Sequence, residues 1–165
     1  MDSKDYMEKQ TDIRRVAIGS DHGGWELKEH LKKILKEQGV HFEDFGPSTP
    51  ERCDYPAIGI QVAQAVSQGK MERGILLCGT GIGMSMVANK FPGVRAALCH
   101  DIYTARMSRE HNNANILVLG GRILGKGLAE EILKTWLYTE FSDTGGRHER
   151  RLSQISNLEN ELGLV

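Results

Sequence analysis

Five short apolar runs, each followed by a stretch of helical period, constrain this chain more than any other feature. The runs are Val16-Ala17-Ile18, residues 40–45, Gly74-Ile75-Leu76-Leu77, residues 94–98 and Ile116-Leu117-Val118-Leu119. Between them, apolar residues recur at helical spacing: Leu27, Leu31, Ile34 and Leu35, then Ile58, Val62, Ala65 and Val66, then Met84, Val87, Ala88 and Phe91. Residues 101–110 make a fourth helix, and Leu128, Ile132, Leu133 and Trp136 mark a fifth. Parallel strands need crossover helices, so this alternation predicts an α/β fold: a doubly wound, five-stranded parallel sheet with helices on both faces. The second run mixes polar and apolar residues and suits a sheet edge. That favours the flavodoxin-like order 2-1-3-4-5, with strands one and three adjacent at the switch point. After Gly145-Gly146, Leu152, Ile155, Leu158 and Leu162 predict a C-terminal amphipathic helix whose apolar face needs an edge or another subunit to cover it.

Length and composition narrow the function. The 165 residues suffice for one domain, read as residues 13–165, behind a polar leader of residues 1–12 that is expected to be disordered. A net charge of −1 gives no reason to expect a nucleic-acid partner. No apolar run approaches the length that spans a membrane, and the charged leader lacks the core of a signal peptide. Three scattered cysteines, Cys53, Cys78 and Cys99, make no disulfide framework or metal-ligand pair, and no histidine has ligand spacing. The expectation is a cytoplasmic protein with no metal and no cofactor.

Gly79-Thr80-Gly81-Ile82-Gly83 carries the chemistry. It follows an apolar strand ending in Cys78 and opens a helix, so its glycines let backbone amides converge on an anion. Cys78 sits beside the positive end of that helix, a setting of reactive thiols. The loop lacks the third glycine of a dinucleotide fingerprint and a Walker lysine. Met84 stands where a cysteine phosphatase would need an arginine to clamp a phosphoryl group. Asp21 and His22 end the first strand, either capping the next helix or facing Cys78 across the switch point. His111 and Asn112 end the fourth helix, as a solvated turn or as functional groups. Arg122, Arg147, His148 and Arg151 form a basic group beyond strand ends, with Arg147 and Arg151 one helical turn apart and suited to phosphate.

Taken together, Gly19-Ser20-Asp21-His22-Gly23-Gly24, Asp54-Tyr55-Pro56, Cys78-Gly79-Thr80-Gly81-Ile82-Gly83, Ala88-Asn89-Lys90, Ser108-Arg109-Glu110-His111-Asn112 and Gly145-Gly146-Arg147-His148 resemble the type B ribose-5-phosphate isomerases. The galactose-6-phosphate isomerase subunits share that fold. The likeness runs over residues 14–155 and implies interconversion of an aldose phosphate and a ketose phosphate through a cis-enediolate, without metal or organic cofactor, in the pentose phosphate pathway. It implies Cys78 as base, Thr80 as a contributing hydroxyl, and the amides of Gly79, Gly81, Ile82 and Gly83 as the anion hole. His111 would open the furanose ring. Asp21 and Asn112 would bind sugar oxygens, Tyr55 would pack beside the sugar, and His22, Arg122, Arg147 and Arg151 would hold the phosphate. Members that lack the cysteine carry a glutamate just after the loop; with Cys78 present and Met84 at that place, the chain resembles the cysteine branch. The resemblance also implies a homodimer or dimer of dimers whose sites are shared, with His111 and Asn112 facing a partner's Cys78 loop. A six-carbon substrate, such as allose 6-phosphate or galactose 6-phosphate, and a non-catalytic sugar-phosphate sensor are the alternatives.

Overall fold

The structure, a computed structural model, describes residues 15–165; the polar leader lies outside them. Five parallel strands form one sheet: β1 (Val16–Ser20), β2 (Phe42–Asp44), β3 (Arg73–Cys78), β4 (Ala96–Leu98) and β5 (Ile116–Gly120). Among the described residues six helices accompany them: α1 (Trp25–Glu37), α2 (Tyr55–Ser67), α3 (Ile82–Ala88), α4 (Ile102–Glu110), α5 (Lys126–Tyr138) and α6 (Arg147–Glu161). The fold is the expected α/β class with helices on both faces.

The strand order is β2-β1-β3-β5-β4, not 2-1-3-4-5. The reason lies in the strands themselves. Every residue of β5 is buried, whereas the three residues of β4 are only half-buried. A strand apolar on both faces belongs inside a parallel sheet, and a short Ala-Ala-Leu strand makes the cheaper edge. The chain therefore crosses over α3 to the far edge and returns through α4. A right-handed crossover that reverses direction must change face. Accordingly α2 and α3 cover one face, with Val62, Val66, Met84 and Ala88 packed on Ala17, Leu76 and Val118. On the other, Leu31, Leu35, Ile132, Leu133 and Trp136 of α1 and α5, with Ala105 of α4, cover Ile18, Ile75, Leu77, Leu117 and Leu119.

The half-exposed β2 is the other edge, as its pattern requires. It is tied down by Lys28 of α1, which has no exposed surface and whose Nζ donates to both Asp44 carboxylate oxygens at 2.8 and 2.9 Å and to Pro47 O at 2.8 Å. The α6 helix lies beside the β4 edge, where Leu152, Ile155, Leu158 and Leu162 face Phe91, Val94 and Ala96 across a groove of about 510 Å³. Ile155, Leu158 and Leu162 remain roughly half exposed or more, so the chain covers this apolar face incompletely.

Candidate active site

The revised strand order decides what surrounds Cys78. With β5 rather than β4 beside β3, Cys78 pairs with Gly120, and the exits of β1, β3 and β5 meet at the carboxyl end of the sheet. They meet through glycines. A Cβ on Gly121 would overlap Gly23 O and lie 2.8 Å from Gly24 Cα, and one on Gly23 would lie 3.0 Å from Gly79 N. Gly121 N–H donates to Cys78 O at 2.8 Å and Arg122 N–H to Gly79 O at 2.9 Å, so the β5 exit clamps the glycine loop.

Cys78 is 5% exposed, and its Sγ accepts a hydrogen bond from Gly81 N–H at 3.1 Å. Gly81 takes φ 80°, a left-handed conformation that glycine adopts without strain and that turns this amide back onto the sulfur. One of the amides expected to face an anion is thus on the thiol. Thr80 Oγ1 accepts from Ile82 N–H at 3.3 Å, while the first-turn amides of Gly83 and Met84 have no intrahelical acceptor, as at any helix start. The α3 helix has only seven residues, so individual N–H groups rather than a long macrodipole supply the polarity here.

The other residues at this end are held from both sides of the loop. Asp21 is buried; its N–H donates to Leu77 O, and its Oδ1 accepts from Gly24 N–H at 3.1 Å. It therefore closes the turn that precedes α1 rather than capping the helix, whose N-cap is Gly24 without a side-chain cap bond, and it lies beside the loop. His22 Nδ1 lies 3.2 Å from Cys53 O and 3.4 Å from Cys53 N, joining the β1 exit to the segment that enters α2. Tyr55 opens α2, and its ring fills the space beside Gly83, where a Cβ would come within 2.6 Å of it. The Arg122 guanidinium lies against Gly79, 3.5 Å from where a Cβ would stand.

His111, Asn112, Arg147 and Arg151 are elsewhere. His111 caps the C-terminus of α4, before Ile116 opens β5, and so stands at the amino end of the sheet. The pairs Gly74–Ile116 and Cys78–Gly120 mark the two ends, about 13 Å apart along the strands. There His111 stacks on His148 of α6, with ring centroids 4.1 Å apart and planes within 8°. Arg147 Nε lies 3.4 Å from His148 Nε2, and the Asp143 carboxylate accepts the His148 N–H. Burial pushes the His148 imidazole below its ordinary pKa; His111 adds to this, Asp143 opposes it, and Arg147 and Arg151 lower it further. Asn112, Arg147 and Arg151 are exposed. The basic group expected from sequence is therefore not gathered within one chain: Arg122 lies with the glycine loop, and Arg147 and Arg151 lie with His111.

Two features escaped the sequence reading. The His111–His148 stack had a signal only in the Gly-Gly-Arg-His motif, since stacking across 37 positions leaves no periodicity. His100, after β4, has a buried Nε2 without a hydrogen-bond partner beside Gly120, and nothing in its sequence context marks it.

Residues 16–155 match the model of the ribose/galactose isomerase family. The chain belongs to that family. Its structure superposes on ribose-5-phosphate isomerase B of Clostridium thermocellum with a TM-score of 0.86 at 51% identity, covering 90% of this chain and 99% of that one. It is 44% identical to ribose-5-phosphate isomerase B of Escherichia coli over 147 residues, 89% of this chain and 97% of the relative. It is also 38% identical to the galactose-6-phosphate isomerase subunit LacB of Clostridium acetobutylicum over 148 residues, 90% of this chain and 86% of the relative. The family and the kinship to ribose-5-phosphate isomerases B make the chain a sugar-phosphate isomerase. Among the described residues no helix is long and apolar enough to cross a membrane.

Proposed function

We propose that the chain interconverts ribose 5-phosphate and ribulose 5-phosphate, with Cys78 as the base. The observation that carries this reading is a nearly buried Cys78 Sγ held by the Gly81 amide, in a loop wedged between the Asp21 and Arg122 exits. From the aldose toward the ketose, the thiolate removes the proton on C2, and the electron pair moves toward the C1 carbonyl to give the enediolate. The same sulfur returns the proton to C1, while the C2 hydroxyl proton passes to the C1 oxygen beside the Thr80 hydroxyl. Preorganised donors stabilise the oxyanion without reorganising; the Gly79 and Gly83 amides provide them, while the Gly81 amide holds the sulfur and the Ile82 amide holds Thr80 Oγ1. Asp21 binds sugar hydroxyls and Tyr55 walls the sugar.

His111 opens the furanose ring and Asn112 binds sugar oxygens from a second copy of the chain, whose Arg147 and Arg151 join Arg122 and His22 on the phosphate. The support for this sharing is that one chain keeps the two groups at opposite ends of its sheet and leaves the apolar face of α6 partly bare. The protein is then a homodimer, or a dimer of dimers, working in the cytoplasm within the pentose phosphate pathway.

The kinship to a galactose-6-phosphate isomerase subunit favours a six-carbon substrate as the second reading. Turnover of ribose 5-phosphate, allose 6-phosphate and galactose 6-phosphate by the purified protein separates the two. The five-carbon reading expects kcat/KM for ribose 5-phosphate to be greater by about tenfold or more, and faster turnover of either six-carbon sugar overturns it. Cys78→Ala is expected to lose roughly a thousandfold in kcat and to keep sugar-phosphate binding; retained turnover sinks the base assignment. A non-catalytic sensor would put no solvent deuterium into bound sugar phosphate even in the wild type.

A further inference from the structure

Behind the His111 turn lies a group of guanidinium side chains to which the chemistry above gives no role. Arg109, in the last turn of α4, is 6% exposed. Its Nη1 donates to Asn113 Oδ1 at 2.9 Å and to Ala114 O at 2.6 Å, and its Nε donates to Thr139 O at 3.1 Å. From the opposite side, Arg95 Nε donates to Asn113 O at 3.0 Å. Between these two arginines Asn113 takes φ 45°, the one positive φ at a non-glycine among the described residues. Asparagine tolerates the left-handed region better than other side chains, yet its amide is here used as an acceptor for Arg109.

This arrangement is costly for mere packing. Every hydrogen bond given above for Arg109 goes to a neutral oxygen, and burial with the nearby Arg73 and Arg95 charges, opposed in part by Glu72 and Glu140, lowers its pKa to about 10. The Trp136 ring, 5.9 Å from its guanidinium carbon, offers partial compensation. A lysine could not replace it, because one ammonium cannot reach three oxygens lying in different directions from a rigid planar fork. The residues immediately between Arg109 and Asn113 are Glu110, His111 and Asn112.

We propose that Arg109 is a positioning residue for the isomerisation: acting through Asn113, it fixes the left-handed turn that sets His111 against His148 and presents Asn112. The proposal rests on the ring-opening role given to His111. Ribulose 5-phosphate, with its C5 oxygen esterified, has no furanose ring to open. Exchange of its C1 proton with solvent therefore reports the Cys78 step alone, whereas net conversion of ribose 5-phosphate needs ring opening as well.

The test compares deuterium exchange at C1 of ribulose 5-phosphate in D2O with net isomerisation of ribose 5-phosphate. The variants are Arg109→Met, Arg109→Lys, Asn113→Ala and Asn113→Gly in the full chain. Arg109→Met, Arg109→Lys and Asn113→Ala are expected to lose about tenfold or more in isomerisation while exchange at saturating ribulose 5-phosphate stays within about threefold. Asn113→Gly, which takes the left-handed turn without strain, should recover most of what Asn113→Ala loses. The Asn113 pair keeps the test decisive if the Arg109 variants fold poorly. Parallel loss of exchange and isomerisation, or an Asn113→Ala variant as active as the wild type, overturns the proposal alone. Exchange that survives Cys78→Ala overturns the Cys78 reading and this proposal with it.

Discussion

At the carboxyl end of the sheet three chain exits touch backbone to backbone through Gly23, Gly79 and Gly121, whereas at the amino end the turn after α4 is held by long side chains reaching past it. Glycine contacts of this kind leave no room for rearrangement, which suits donors that must stand ready where charge develops. Guanidinium bonds to carbonyls fix a turn while leaving its outer face, here Asn112, Arg147 and Arg151, open to solvent or to a partner. One end is a finished cradle around Cys78; the other is a presented set of polar groups. The two are complementary in chemistry and, within one chain, out of reach of each other.

The largest effect expected from disturbing one end alone is that of Gly121→Ala. The added methyl meets the backbone of Gly23 and Gly24, which cannot rotate away, so a loss of about 3 kcal/mol in urea unfolding and a collapse of turnover are expected. Gly127→Ala in the first turn of α5, where a Cβ meets nothing, should instead stabilise by about 0.5 kcal/mol. Equal stability of Gly121→Ala and wild type would mean that the cradle is not rigid.

A smaller effect separates the ends by charge. Burial alone would raise the Asp44 carboxyl, but hydrogen bonds from Lys28, Lys32 and Gly46 outweigh it and hold it below the ordinary carboxylate value. Its contribution is thus complete above about pH 4 and lost as pH falls through the lower folded value. Asp44→Asn leaves buried Lys28 without its main partner. It should cost about 2 kcal/mol at pH 7, less than a fully buried pair would, because Asp44 is partly exposed and Glu29 lies 3.5 Å from Lys28. The difference from wild type should shrink toward zero below about pH 4. A penalty still unchanged once pH has fallen well below the ordinary carboxylate value contradicts the ion-pair account.

The smallest effect is at the amino end. His148 is held below the usual histidine value of about 6.5, so the stability linked to its neutral ring is present above that pH and lost as pH falls through the folded value. Proton NMR of the His148 ring should give a midpoint below 6.5, rising in Arg147→Gln and Arg151→Gln as like charges are removed. A midpoint indifferent to both substitutions would remove the arginines from the ring's surroundings.

Much of this was legible in the residues, and the misses have physical causes. Helical period and apolar runs report which face of an element is buried, so the class of fold and the edge position of β2 could be read directly. They do not report which strand is whose neighbour. The clue for β5 was present in Ile116-Leu117-Val118-Leu119, a run apolar on both faces and therefore interior, but the simpler numerical order outweighed it. That single exchange moves Gly121 against Cys78 and Arg122 against Gly79, whereas Arg122 parts from Arg147 and Arg151 because it follows β5 at the carboxyl end of the sheet. The glycine loop was legible because glycine spacing has a direct backbone meaning. The bonds of Arg109 to Asn113, Ala114 and Thr139 were not, since arginine near a helix C-terminus is common on solvated surfaces and burial alone distinguishes this one.

The central claim, that the two ends come together only between copies, is tested most directly by complementation. Cys78→Ala and His111→Ala are each impaired alone, and when co-expressed they form hybrid dimers in which one site carries both lesions and the other carries none. Random pairing then predicts recovery to roughly a quarter of wild-type isomerisation for an equal mixture. Activity no greater than the sum of the two parents would contradict the account and place His111 and Cys78 in the same chain's site.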